Sequence, residues 1–173
     1  MGNALVTLLL VTVVMVSALG LVSGSVSAFD TLLDSSKEMQ DQTCERGRMA
    51  IRCSEVAVDG AIARVRVVND GSVPLTGFQN WDVIMQYEDG TGVAHVLWLP
   101  YGGVAPHANE WTVEGIYYGE NEEVVEPGVL NPCESVLLET SLEPAVGEGT
   151  TNLVTVSTDR GVSAQYVFEG AQQ

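Results

Sequence analysis

The sequence predicts an α+β chain: a long N-terminal hydrophobic α-helix followed by an antiparallel β-sandwich of seven or eight strands. Three observations predict it. The opening stretch carries no charge before Asp30 and no positive residue before Lys37. The hydrophobic period changes from that of a helix to that of a strand near Met49. From there to the C-terminus, short apolar runs alternate with Gly, Pro, Asn and Asp.

The helix comes first. The apolar run extends from Ala4 to Phe29. A cleaved export signal would have a basic n-region and an apolar core of about 7–15 residues. Val26-Ser27-Ala28 would suit a cleavage site, but the basic region is missing and the run is too long. A transmembrane helix fits the length, since about 20 apolar residues span a bilayer. No Lys, Arg, Trp or Tyr flanks it closely, however. A third reading accounts for both features: a short basic leader has been removed, and the helix sits first in a membrane and then against copies of itself. Gly20 and Gly24 form a G-x-x-x-G pair that Ala28 extends, with Ser23 and Ser27 beside it. The stripe expected to meet sister helices is Met1, Leu5, Leu9, Val13, Val16, Gly20, Gly24 and Ala28.

The segment "FDTLLDSSKEMQDQ" continues the pattern. Phe29, Leu32, Leu33 and Ser36 take one face, and Asp30, Asp34, Lys37, Glu38 and Asp41 the other. The helix therefore runs to about Gln42, and the first domain is expected over 1–45. A helix of about 40 residues is roughly 60 Å long, twice a bilayer core. One globular domain cannot bury such a rod.

The second domain, 46–173, is expected to be an Ig-like sandwich. Asp59-Gly60 joins two strand-like runs, and Asn69-Asp70-Gly71 makes the next turn. "FQNWDVIMQYED", "GVAHVLWLP", "EWTVEGIYYG", "SVLLETSL", "NLVTVSTD" and "VSAQYVFEG" follow as strands, the last two joined at Asp159-Arg160-Gly161. Trp81, Trp98 and Trp111 all fall in these runs and are expected in the core or on a sheet face.

Charge excludes some functions. Seven Lys and Arg stand against 23 Asp and Glu, a formal net charge of -16. Such a surface repels nucleic acid and anionic lipid headgroups, so a nucleic-acid partner is not expected. It also repels copies of itself, so any assembly must be held by apolar contact.

Three cysteines cannot all pair within one chain. Cys53–Cys133 or Cys44–Cys133 is geometrically possible if their strands share a central partner, and Cys44–Cys53 needs only a turn at Gly47. The expected bond is Cys53–Cys133, with Cys44 unpaired or an alternative partner. His95 and His107 lack further ligands nearby, so no metal is expected. Glu120, Glu122, Glu123 and Glu126 match no Ca²⁺-loop spacing and read as a solvated loop. "YGGVAPHANE" reads as an exposed loop. No nucleophile elbow is present, so neither catalysis nor a cofactor is expected. No N-x-S/T sequon occurs.

The apolar opening "MGNALVTLLLVTVVMVSALGLVSGS" resembles the mature N-terminus of archaellins, the type-IV-pilin-like subunits of the archaeal swimming filament. "VRVVNDGSVPLTGFQNWDVIMQYED" is similar to the strand–turn–strand region of their sandwiches. "EPGVLNPCESVLLETSL" is similar to their Pro-Gly-Glu segment, with Cys133 in place of the Gly. Leu5 stands where bacterial type IV pilins carry Glu. The resemblance implies a structural subunit of an extracellular helical filament used for swimming. It implies processing by a prepilin-type peptidase, residence in the membrane before assembly, and self-polymerisation by archaellum-like machinery. Helices would form the filament core and sandwiches the outer shell. An adhesive pilus-like subunit, a membrane-anchored archaellum stator or accessory protein, and an anchored enzyme are the alternatives.

Overall fold

Alternation of apolar and polar residues from Ile51 onward folds into two antiparallel sheets packed face to face. The computed structural model describes residues 8–15, 35–37, 39, 43 and 47–170, and the chain divides into two units, Met1–Glu45 and Arg46–Gln173. In the first unit, residues 8–15 are helical, as are 35–37, 39 and 43. The expectation of one unbroken helix to Gln42 falls largely outside the described residues.

The second unit contains nine strands: β1 (Ile51–Asp59), β2 (Ile62–Asn69), β3 (Asp82–Glu88), β4 (Ala94–Leu99), β5 (Glu110–Tyr118), β6 (Asn121–Glu122), β7 (Ser135–Ser141), β8 (Thr151–Ser157) and β9 (Ser163–Glu169). One sheet has the order β1-β2-β7-β5-β6 and the other β4-β3-β8-β9. Leaving aside the two-residue β6, these are the ABED and GFCC′ sheets of an immunoglobulin-type sandwich. β6 is one strand beyond the seven or eight expected. It is a two-residue pairing with the end of β5, too short for an alternating pattern to reveal.

Turn chemistry sets the register of the hairpins. Asp59 pairs with Ile62, leaving the two-residue turn Gly60-Ala61, and Gly60 takes the left-handed φ of 60° that such a turn requires. The β8–β9 turn closes through Thr158 N–H to Val162 O at 2.9 Å, as the Asp159-Arg160-Gly161 sequence predicts.

The core lies between the sheets. Cys53, Val67, Val136 and Ile116 form one inward row of the five-stranded sheet, and Ala63, Thr140 and Trp111 another. Val83, Met85, Val154 and Val156 face them from the other sheet. Trp81 and Trp111 are buried, but Trp98 is 59 % exposed. Trp81 falls outside the strands. It ends a 3-10 turn over Phe78–Asn80 and packs edge-on against Phe78, with ring centroids 5.0 Å apart.

The Cys53–Cys133 bond is not formed: among the described residues both thiols are free, Cys53 buried and Cys133 exposed. The topology explains the difference. β1 and β7 both pair with β2, but on opposite sides of it. Strands flanking a common neighbour lie about 9.6 Å apart, and a disulfide needs Cα atoms within about 7 Å. Cys53 is level with Val136 across β2, so Cys133 is displaced a further three residues along the sheet. Burial pushes the Cys53 thiol up to about 11, leaving it a small apolar core residue rather than a nucleophile. Cys44 lies outside the described residues.

Candidate functional site

Of the residues expected to form the assembly stripe, Leu9 and Val13 are described; Met1, Leu5, Val16, Gly20, Gly24 and Ala28 lie outside. Leu9 and Val13 are one helical turn apart and 61 % and 56 % exposed. Their neighbours Leu8, Leu10, Val11, Val14 and Met15 are exposed as well. Thr12, the one polar residue here, folds its hydroxyl back to Leu9 O at 2.8 Å. This is a helical segment apolar on every side. In an aqueous protein such a segment needs cover, either lipid or other chains. Among the described residues no helix is long and apolar enough to cross a membrane.

The candidate chemical residues do not converge. His95 Nε2 lies 2.8 Å from Asp89 Oδ2, and its ring stacks on Tyr87. Asp89 also accepts from the Thr91 hydroxyl at 2.6 Å, Thr91 N–H at 2.8 Å and Val93 N–H at 3.1 Å. These donors, the Thr91 hydroxyl foremost, hold its carboxyl well below the usual carboxylate range. The group closes the β3–β4 hairpin and uses its acceptors within the turn. His107 sits on the 101–109 loop, where Glu110 Oε2 accepts from its backbone N–H at 2.9 Å and lies 3.0 Å from its Nδ1. That backbone bond, then the ring, holds the Glu110 carboxyl low. In the acidic loop, Glu123 Oε1 accepts Val125 N–H at 2.6 Å. Among the described residues no cluster of three or more His, Cys, Asp or Glu could hold a metal.

Charge is unevenly distributed over the sandwich. The outer face of the five-stranded sheet carries Arg52, Arg64 and Arg66. Arg64 bridges Glu114 at 2.9 Å and Glu139 at 2.8 Å, which raises its own pKa. Arg66 lies over the Tyr117 ring at 5.4 Å and donates to Ser135 Oγ at 3.2 Å. Beside it, Cys133 lines an open groove of about 470 Å³. The outer face of the four-stranded sheet is different. Val96 and Trp98 on β4 and Val167 on β9 are exposed, with Ile84 and Leu153 between them. Sequence reading could not have assigned this face, because Val96 and Trp98 on one alternation and Leu97 and Leu99 on the other are all apolar.

The departure at Cys133 has a structural consequence. Cys133 has φ 71°, in the left-handed region that a glycine occupies without strain. Its N–H donates to Asn69 O at 2.9 Å, which fixes the turn. Cys133→Gly should stabilise the sandwich by about 1 kcal/mol, and Cys133→Ala, which keeps the Cβ, should be near neutral. Thermal unfolding of the two variants side by side checks this. A Gly variant no more stable than the Ala variant would show that the strain is absent.

The sandwich has, by strand order, an immunoglobulin-like architecture, and its fold is similar to that of several solved structures. The archaellum periplasmic stator protein FlaG from Sulfolobus acidocaldarius matches 69 % of this chain and 99 % of its own, at 16 % identity and TM-score 0.52. The archaeal flagellin FlaB1 from Methanocaldococcus jannaschii matches 71 % of this chain and 90 % of its own, at 15 % identity and TM-score 0.52. The archaeal flagellum of Methanospirillum hungatei matches 100 % of this chain and 95 % of its own, at 13 % identity and TM-score 0.51. No protein-family model and no curated protein matches the chain. At these identities the likeness establishes a shared fold.

Proposed function

We propose that this protein is a structural subunit of an extracellular helical filament of the archaellum type, polymerising through its N-terminal helix and serving swimming. The observation that carries the reading is the segment 8–15, whose seven large apolar side chains are all at least half exposed in the single chain. Burying them among sister helices would contribute on the order of 10 kcal/mol per copy. That is enough to oppose repulsion between copies of net charge -16. A likeness to an archaeal flagellum that extends over the whole chain supports the same reading. A rotation between copies that does not close then gives a filament rather than a ring. Lipid holds the helix before assembly, and a prepilin-type peptidase prepares it.

A stator role is the second reading, favoured by the match to 99 % of the FlaG chain. Cell fractionation separates the two. A filament subunit is recovered in sheared extracellular filaments in high copy, and a stator stays with the membrane in low copy. Within the filament reading, Gly20→Leu or Gly24→Leu should reduce filament yield at least tenfold by holding helices apart. Filaments of normal abundance and shape from both variants, seen by electron microscopy, would remove that packing role.

A further inference from the structure

Four strands end the two sheets, and natural proteins blunt such edges with charge, bulges or shortness. β1 carries Arg52, Glu55 and Asp59, with a break in register after Cys53. β6 is two residues long, and β9 ends in Glu169. β4 has none of these protections. Its six residues include no Asp, Glu, Lys, Arg or Pro, and among the described residues its hydrogen-bonded neighbour in the sheet is β3 alone. The polar ring of His95 is already engaged with Asp89. On the outer face Val96 is 70 % and Trp98 59 % exposed. The Trp98 indole is fixed by its N–H to Asp82 Oδ1 at 2.8 Å, so the ring is pre-positioned.

We propose that β4 is a homotypic docking strand, pairing antiparallel with β4 of a second copy so that the two four-stranded sheets become one of eight. Two features select this occupant. An open strand edge is a row of backbone donors and acceptors, and its complement is another strand edge. The β4 sequence is also self-complementary about Leu97. With a two-fold axis there, Val96 of each copy faces Trp98 of the other on the same side of the sheet, which is a favourable cross-strand pair. Charge points the same way. Copies of net charge -16 repel, and β4 is the edge strand whose own residues include no acidic side chain. The contact joins sandwiches directly and does not require a filament.

The test is sedimentation of the full chain in detergent micelles over a concentration series. The variants are Val96→Lys and Val167→Lys, the latter on β9 at the opposite edge of the same face. Both side chains are exposed, so both variants should keep the fold, and an unchanged Tm verifies it. Each substitution makes the chain less negative, so a general electrostatic effect would strengthen association in both. The expected result is a dimer contact weakened at least about tenfold by Val96→Lys and left intact by Val167→Lys. Hydrogen exchange gives a second readout: in the wild-type chain, amides within 94–99 should become more protected as concentration rises. Equal association of wild type and Val96→Lys, equal weakening in both variants, or exchange independent of concentration would each overturn the proposal. Electron microscopy of filaments reads the filament hypothesis separately. Normal filaments from a Val96→Lys chain with undiminished dimers remove the β4 contact and leave that hypothesis standing. Val96-dependent dimers without filaments do the reverse.

Discussion

Asn69→Ala should lower the unfolding free energy of the sandwich by about 3 kcal/mol. Asn69 closes β2 and is fully buried. Its Nδ2 donates to Val73 O and to Leu130 O, each at 2.9 Å, and its Oδ1 accepts Gly71 N–H at 3.0 Å. Its own backbone N–H donates to Glu134 O, and its carbonyl accepts Cys133 N–H, both at 2.9 Å. One side chain therefore ties the 69–73 turn to the segment that enters β7. Alanine keeps the backbone bonds and removes three side-chain hydrogen bonds, at roughly 1 kcal/mol each: Gly71 N–H and Val73 O lose this partner, while Leu130 O keeps the Leu75 N–H at 2.9 Å. Asn69→Asp should be no better, because a carboxylate would point at two carbonyl oxygens. Urea unfolding checks this, with a lower midpoint and an unchanged slope. A loss below about 1 kcal/mol would mean that the side chain does not hold the two turns together.

Trp111→Ala should cost more, about 4 kcal/mol, whereas Trp111→Phe should cost no more than about 1.5 kcal/mol. Trp111 is the largest fully buried side chain of the described residues. It lies at the inner face of β5, level with Thr140, and the Tyr101 ring meets it edge-on with centroids 5.0 Å apart. Truncation to alanine opens a cavity that the rigid strands on either side cannot close. Phenylalanine retains most of that packing. It also removes an indole N–H that finds no acceptor among the described residues, a group that is costly to bury unpaired. The gap between the two variants is the diagnostic quantity, read from denaturant titrations. Equal losses would mean either that the indole N–H is satisfied or that the pocket tolerates no ring smaller than indole.

Much of the sandwich was legible in the sequence because its strands are half-buried. Strands such as β3 and β8 alternate cleanly, and Gly60 and Gly161 mark turns that need a left-handed residue. β6 was not legible, because two residues show no period. Trp81 looked like a strand residue because it adjoins one. The glycine-like conformation of Cys133 could be suspected only from the segment that surrounds it.

By itself the sequence determined the apolar, uncharged opening segment, the change of period near Met49 and the surface charge that demands apolar contacts for assembly. These are local or additive properties, and residue type settles them. The tertiary structure alone decided which strands are neighbours. That decision put β2 between the two cysteine-bearing segments and so ruled out their disulfide. It also placed β4 at the end of its sheet, with Val96 and Trp98 facing outward. An apolar strand reads the same whether its edge is paired or open, because the distinction depends on residues far away in the chain.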